Sequence, residues 1–188
     1  MFTKSYPLFR LFGFQIKADL TWTILAVLIT WTFGTQVFPQ QLPDLKTYVY
    51  WALAVEAAIG VFLSIILHEC GHAIAARHYG IRIKEITLFI FGGVANMESE
   101  PDKPKHEFIM AVAGPLVSGM LAIVFILLDS AFSRIVPEAP VLAVFGHLAW
   151  LNGMLGVFNM IPAFPLDGGR VLRALLWMWK KDLRFATR

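Results

Sequence analysis

Four apolar runs, at residues 20–38, 49–76, 108–128 and 141–160, alternate along the chain with polar, proline-containing and charged stretches. A hydrocarbon core takes about 20 helical residues at about 1.5 Å of rise each. The pattern therefore predicts four membrane-spanning helices. A charged and aromatic segment precedes the first run and no small-residue cleavage site follows it cleanly, so this run is expected to stay in the mature protein.

Between the runs the period changes. In "LFGFQIKA", Phe12, Phe14 and Ile16 alternate with Gly13, Gln15 and Lys17, the period of a half-buried strand. The stretch "IRIKEITLFIFGGVANMES" is rich in β-branched and aromatic residues, with Gly92-Gly93 read as its turn. Together they predict a small β-sheet or hairpin at the cytoplasmic membrane boundary. Unpaired backbone groups facing lipid cost several kcal/mol each, so that sheet must pack on protein, sit at the interface or line a wet cavity. "ESEPDKPKHE" reads as a solvated loop, and Val171 to Lys181 as a short interfacial helix with two tryptophans. Gly114, Pro115 and Ser118 in the third run, and Gly146, Gly153 and Gly156 in the fourth, read as ordinary close helix packing. The fold class is a polytopic α-helical membrane protein, a single unit over residues 1–188 without internal repeats.

Composition agrees with that pattern: 57% of residues are hydrophobic and 15% charged, outside the range of ordinary soluble domains. Charge adds orientation. Of the sixteen Lys and Arg residues, only Lys46 and Arg134 fall on one side of the four runs. The positive-inside rule then places both termini in the cytoplasm, and the net charge of +3 reflects topology, with no nucleic-acid partner implied. Cys70 is the single cysteine, so no intrachain disulfide forms.

Chemistry enters with "LHECGHAIA" inside the second run. His68 and His72 are four residues apart and share one helix face, where two imidazoles can hold one metal ion. Glu69 beside them completes the arrangement in which a glutamate takes a proton from a zinc-activated water. Three ionisable residues within five positions of a span are expensive and mark a functional site.

A catalytic zinc takes three protein ligands, so a third is required. Candidates are Glu56, His78, His106, His147 and Asp167. His68 lies about 13 Å inside the cytoplasmic end of its run if the helix is straight. Glu56 and His147 stand near the outer ends of their runs, and His78 and His106 belong to the cytoplasmic polar region. Asp167 follows the fourth run in "NMIPAFPLDGGR", where Pro162 and Pro165 break the helix and Gly168-Gly169 permits a sharp turn. It emerges on the same side as the His68 end of the second run.

"HECGH", "FGGV", "AGPLVS" and "NMIPAFPLDGGR", in that order, resemble the site-2 protease family of intramembrane zinc metalloproteases. The resemblance runs from about Val49 to Arg173 and lacks a PDZ-like insertion, which marks the compact branch. It implies one Zn²⁺ per chain on His68, His72 and Asp167, with Glu69 as the catalytic base. It also implies that Asn159 faces the substrate or the developing oxyanion. Compact relatives often carry further spans and paired cystathionine-β-synthase-type domains; nucleotide regulation would act through such a C-terminal region, and whether the chain is a shortened form is left open.

The expected activity is hydrolysis of peptide bonds within or near transmembrane segments, on the cytoplasmic side. A substrate helix hides its peptide bonds, so the strand ending at Gly92 and Gly93 is expected to hold it extended by edge-strand addition. Expected partners are a transmembrane protein substrate and the lipid bilayer, with self-association into a homo-oligomer left open. The competing class is a divalent-metal transporter or sensor built on the same His, Glu and Asp cluster. The outer halves of the runs offer such a path little beyond Glu56, His147 and Asn152.

Overall fold

A backbone in hydrocarbon must satisfy its own N–H and C=O groups, and the computed structural model, which describes residues 5–89 and 92–187, does so with helices in all four runs. Two strands come first, β1 (Ser5–Leu11) and β2 (Phe14–Asp19), paired antiparallel. Asp19 then caps α1 (Leu20–Thr32) through a 2.9 Å bond from the Thr21 N–H to its Oδ1. A π-helical turn, Phe33–Val37, and α2 (Phe38–Gln41) continue the same span. Pro39 has no N–H to give the preceding turn, and a widened turn stands in front of it.

The second span is α3 (Thr47–His78), whose 32 residues extend about 48 Å, well beyond a core of about 30 Å. After it come β3 (Ile83–Phe89) and β4 (Gly92–Met97), then α4 (Pro104–Ser133), α5 (Val141–Asn159), α6 (Asp167–Lys180) and the single-turn α7 (Leu183–Ala186). The sheet order is β1-β2-β3-β4, with β2 and β3 parallel and the outer pairs antiparallel. Among the described residues β4 forms one edge.

Packing divides the molecule into two ends. Phe14, Ile16, Ile86 and Leu88 from the sheet bury against Ile66, Cys70 and Ala73 of α3. At the other end Phe38, Leu53, Ala57, Val144 and Leu148 join α2, α3 and α5. Arg77, near the C-terminus of α3, donates to the Phe12 carbonyl oxygen at 2.8 Å and lies 4.9 Å from the Phe14 ring centroid, fastening the β1–β2 turn to the helix.

Three expectations change. "LFGFQIKA" is the corner of a hairpin: Phe12 (φ 50°) and Gly13 (φ 90°) make its two-residue turn, with Phe14 and Ile16 buried beyond it. Gly92 and Gly93 belong to β4, where Gly92 already pairs with Phe89, so the pair is not the turn. Gly168 and Gly169 lie in the first turn of α6 and make no sharp bend.

Candidate metal centre

α3 runs without interruption through His68, Glu69 and His72, so the two imidazoles stack one turn apart, both buried. Their Nε2 atoms are 3.2 Å from each other. Each Nδ1 is held by α4. His72 Nδ1–H donates to the Met110 carbonyl oxygen at 2.6 Å, and His68 Nδ1 bonds to Ser118 Oγ at 2.9 Å. A ring whose Nδ1 carries the proton presents an unprotonated Nε2, the form a metal takes.

α4 comes this close because glycines face the contact. A Cβ on Gly71 would stand 2.8 Å from the Ala113 carbonyl oxygen, and one on Gly114 would collide with Nε2 of both histidines. The third side chain arrives from α6. Asp167 opens that helix, after a loop that folds back so tightly that a Cβ on Gly168 would strike the carbonyl oxygens of Met160 and Ile161. Close approach, rather than a turn, is the reason for glycine here.

Asp167 Oδ2 lies 3.2 Å from His68 Nε2 and 3.1 Å from His72 Nε2. The three atoms form a nearly equilateral triangle. Ligands about 2.0–2.1 Å from a tetrahedral zinc are separated by about 3.3 Å, so the triangle is the size of one face of that tetrahedron. His68, His72 and Asp167 therefore fit a zinc ion. Among the described residues they are the one group of three or more His, Cys, Asp or Glu whose ligand atoms come within 4.8 Å of one another.

A cavity of about 370 Å³ opens beside the triangle and is lined by Glu69, Gly92, Gly93, Asn159 and Arg170 as well as the three ligands. Glu69 is half-buried. β4 lies against it, since a Cβ on Gly93 would overlap the Glu69 side chain. Asn159 donates from Nδ2 to the Leu155 carbonyl oxygen at 2.9 Å. The residues singled out from the sequence thus share one cavity.

The rejected ligands lie elsewhere. His147 donates to Ala143 at 2.7 Å in a larger depression of about 750 Å³ at the opposite end, His106 pairs with Asp102 at 2.8 Å, and His78 packs on Tyr79. Cys70 is in the apolar core under the sheet. What the sequence reading missed is the contribution of α4: Met110, Gly114 and Ser118 surround the imidazoles, although the two small residues read as plain packing.

A model described as peptidase family M50 matches residues 56–136 and 130–187. "Putative zinc metalloprotease sll0528" of Synechocystis sp. is 37% identical over 167 residues, covering 89% of this chain and 43% of that protein. "Zinc metalloprotease MJ0392" of Methanocaldococcus jannaschii is 37% identical over 172 residues, covering 92% and 45%. The solved "Site-2 Protease from Methanocaldococcus jannaschii" superposes with a TM-score of 0.65 at 36% identity, over 93% of this chain and 73% of that one. The chain spans less than half the length of these two curated relatives.

Proposed function

The chain belongs to peptidase family M50, the site-2 proteases, and from that premise we propose that it hydrolyses peptide bonds within or beside transmembrane segments of membrane-protein substrates. The observation that carries this reading is the triangle of His68, His72 and Asp167 with Glu69 in the same cavity.

His68, His72 and Asp167 would hold zinc, which when bound would supply Lewis-acid polarisation of the scissile carbonyl and of the attacking water. Glu69 takes one proton from that water as its oxygen adds to the carbonyl carbon. The same carboxyl group gives the proton to the amide nitrogen as the C–N bond breaks, releasing a carboxylic acid and an amine, which then exchange the acid's proton to leave a carboxylate and an ammonium. The side-chain amide of Asn159 keeps one N–H beyond its bond to Leu155, and this donor faces the carbonyl oxygen as negative charge develops there.

A substrate helix must unwind before attack. The free edge of β4 offers it backbone partners, and Gly93 lets that strand lie close to Glu69. Residues 1–188 act as one unit in the bilayer. The Lys and Arg distribution supports cytoplasmic termini and a cytoplasmic opening of the cavity. No observation favours metal transport, since the described residues repeat no such ligand group toward the opposite end.

Cleavage of a labelled transmembrane peptide by the detergent-purified chain, beside Glu69→Gln, tests the reading. The variant is expected to keep zinc and lose cleavage; retained cleavage overturns the role of Glu69.

A further inference from the structure

We propose that Arg173 is a positioning residue for the third metal ligand, acting through its ion pair with Glu107 to hold Asp167 at the height of the two histidines. This rests on the metal-site reading above.

Asp167 reaches the centre at the tip of α6, whose first turn packs closely on the preceding loop at Gly168 and Gly169. Beyond that turn Leu172, Leu175 and Trp179 are exposed, and the buried side chains Val171 and Ala174 give apolar packing, which has no direction of its own. The directional contact is Arg173. Its Nε donates to Glu107 Oε1 at 2.7 Å, and its NH2 donates to the same oxygen. Glu107 is 1% exposed, so without the guanidinium a carboxylate would be left buried and unpaired. The guanidinium also lies 6.0 Å from the ring centroid of Phe164, in the loop that leads into Asp167.

The partner's place on α4 gives the pair its meaning. Glu107, Met110, Gly114 and Ser118 follow one another at helical spacing along a single face. Met110 orients His72, Gly114 makes room for both imidazoles, and Ser118 orients His68. Glu107 is the fourth member of that stripe, and through Arg173 it ties α6 to the same ruler. Arg173 stands six residues past Asp167, about 9 Å along the axis, and touches no ligand. A slip of α6 by one residue, about 1.5 Å, would open a triangle whose edges are 3.1 and 3.2 Å.

The test is the zinc dissociation constant of the whole chain in detergent, measured by competition with chelators of graded strength, for the native sequence, Arg173→Gln, Asp167→Ala and the double variant. Arg173→Gln is expected to weaken zinc about 10–100-fold, as loss of an outer contact does at other metal sites, and to add nothing once Asp167 is alanine. Arg173→Lys, which keeps the charge, is expected to fall between native and Gln, and it carries the test if the Gln variant does not fold. An equal loss in both backgrounds would mean general damage to the fold and would overturn the proposal, as would native affinity in Arg173→Gln. Zinc indifferent to Asp167→Ala would instead remove the ligand assignment, and the positioning role with it.

Discussion

Ser118 Oγ lies 2.9 Å from His68 Nδ1, joining positions 50 residues apart on two different spans. The contact is buried and holds the ring so that Nε2 is turned toward the other two ligand atoms. Ser118→Ala removes it without altering any ligand. Zinc affinity is expected to fall about tenfold or more, and chelator competition on the purified chain measures it. Unchanged affinity would show that packing alone holds the imidazole.

Gly114→Ala is expected to abolish stoichiometric zinc binding, because the added methyl group would occupy the space between the two imidazoles. The helix itself should not suffer, since alanine is the better helix former by about 1 kcal/mol. Metal analysis together with far-ultraviolet circular dichroism separates the two effects.

Gly93→Ala attacks the base instead of the metal. The new Cβ would overlap Glu69 and push either its carboxylate or β4 away. The expected outcome is full zinc content with at least about tenfold slower cleavage, within the range that a positioned general base contributes. Native turnover would mean that β4 has room to withdraw.

Removing the metal should loosen the contact between α3 and α6. A ligand that binds only the folded state stabilises it by about 2.7 kcal/mol at a free concentration 100-fold above its dissociation constant. A strong chelator should therefore lower the thermal midpoint of the native chain and of Glu69→Gln alike, and leave Asp167→Ala almost unmoved. Thermal unfolding in detergent, followed by tryptophan fluorescence, reads the difference.

The sheet has its own acid sensitivity. Glu85 is held below the usual glutamate range, chiefly by its bond with Lys17 across the β2–β3 pair, with Asn96 and Lys84 adding to it. A carboxylate whose pKa is lowered on folding contributes stability above its ordinary value and loses it as the pH falls through the folded value. Amide exchange in β3 should therefore accelerate as the pH drops below about 4.3, the ordinary glutamate pKa, after correction for intrinsic rates. Glu85→Gln should flatten that dependence.

The spans were legible because hydropathy over some twenty positions leaves few alternatives, and the histidine pair because a helix fixes which residues share a face. Asp167 was legible from the depth of the segment that carries it. The α4 stripe was not, since nothing local says which face of a wholly apolar helix turns toward His68. Glycine was the most ambiguous letter. Gly93, Gly114, Gly168 and Gly169 all serve close approach to another element, yet a glycine pair in a sequence reads equally well as a turn. Phe12 was misplaced for a related reason: a period of two continues unbroken through a two-residue hairpin corner.

The parallel register of β2 with β3, Gln15 beside Glu85 through Ala18 beside Leu88, joins segments separated by α1, α2 and α3. Those strands can meet only when residues 19 and 83 emerge from the bilayer on the same face. The sheet is therefore a proofreader of insertion. A chain whose first span entered backwards would strand β2 across the membrane from β3, and Phe14 and Ile16 could not reach the core they share with Ile86 and Leu88. With β3 missing its neighbour, the hairpin over Glu69 would lose one wall, so a wrongly threaded molecule would be a poor protease as well as a misfolded one.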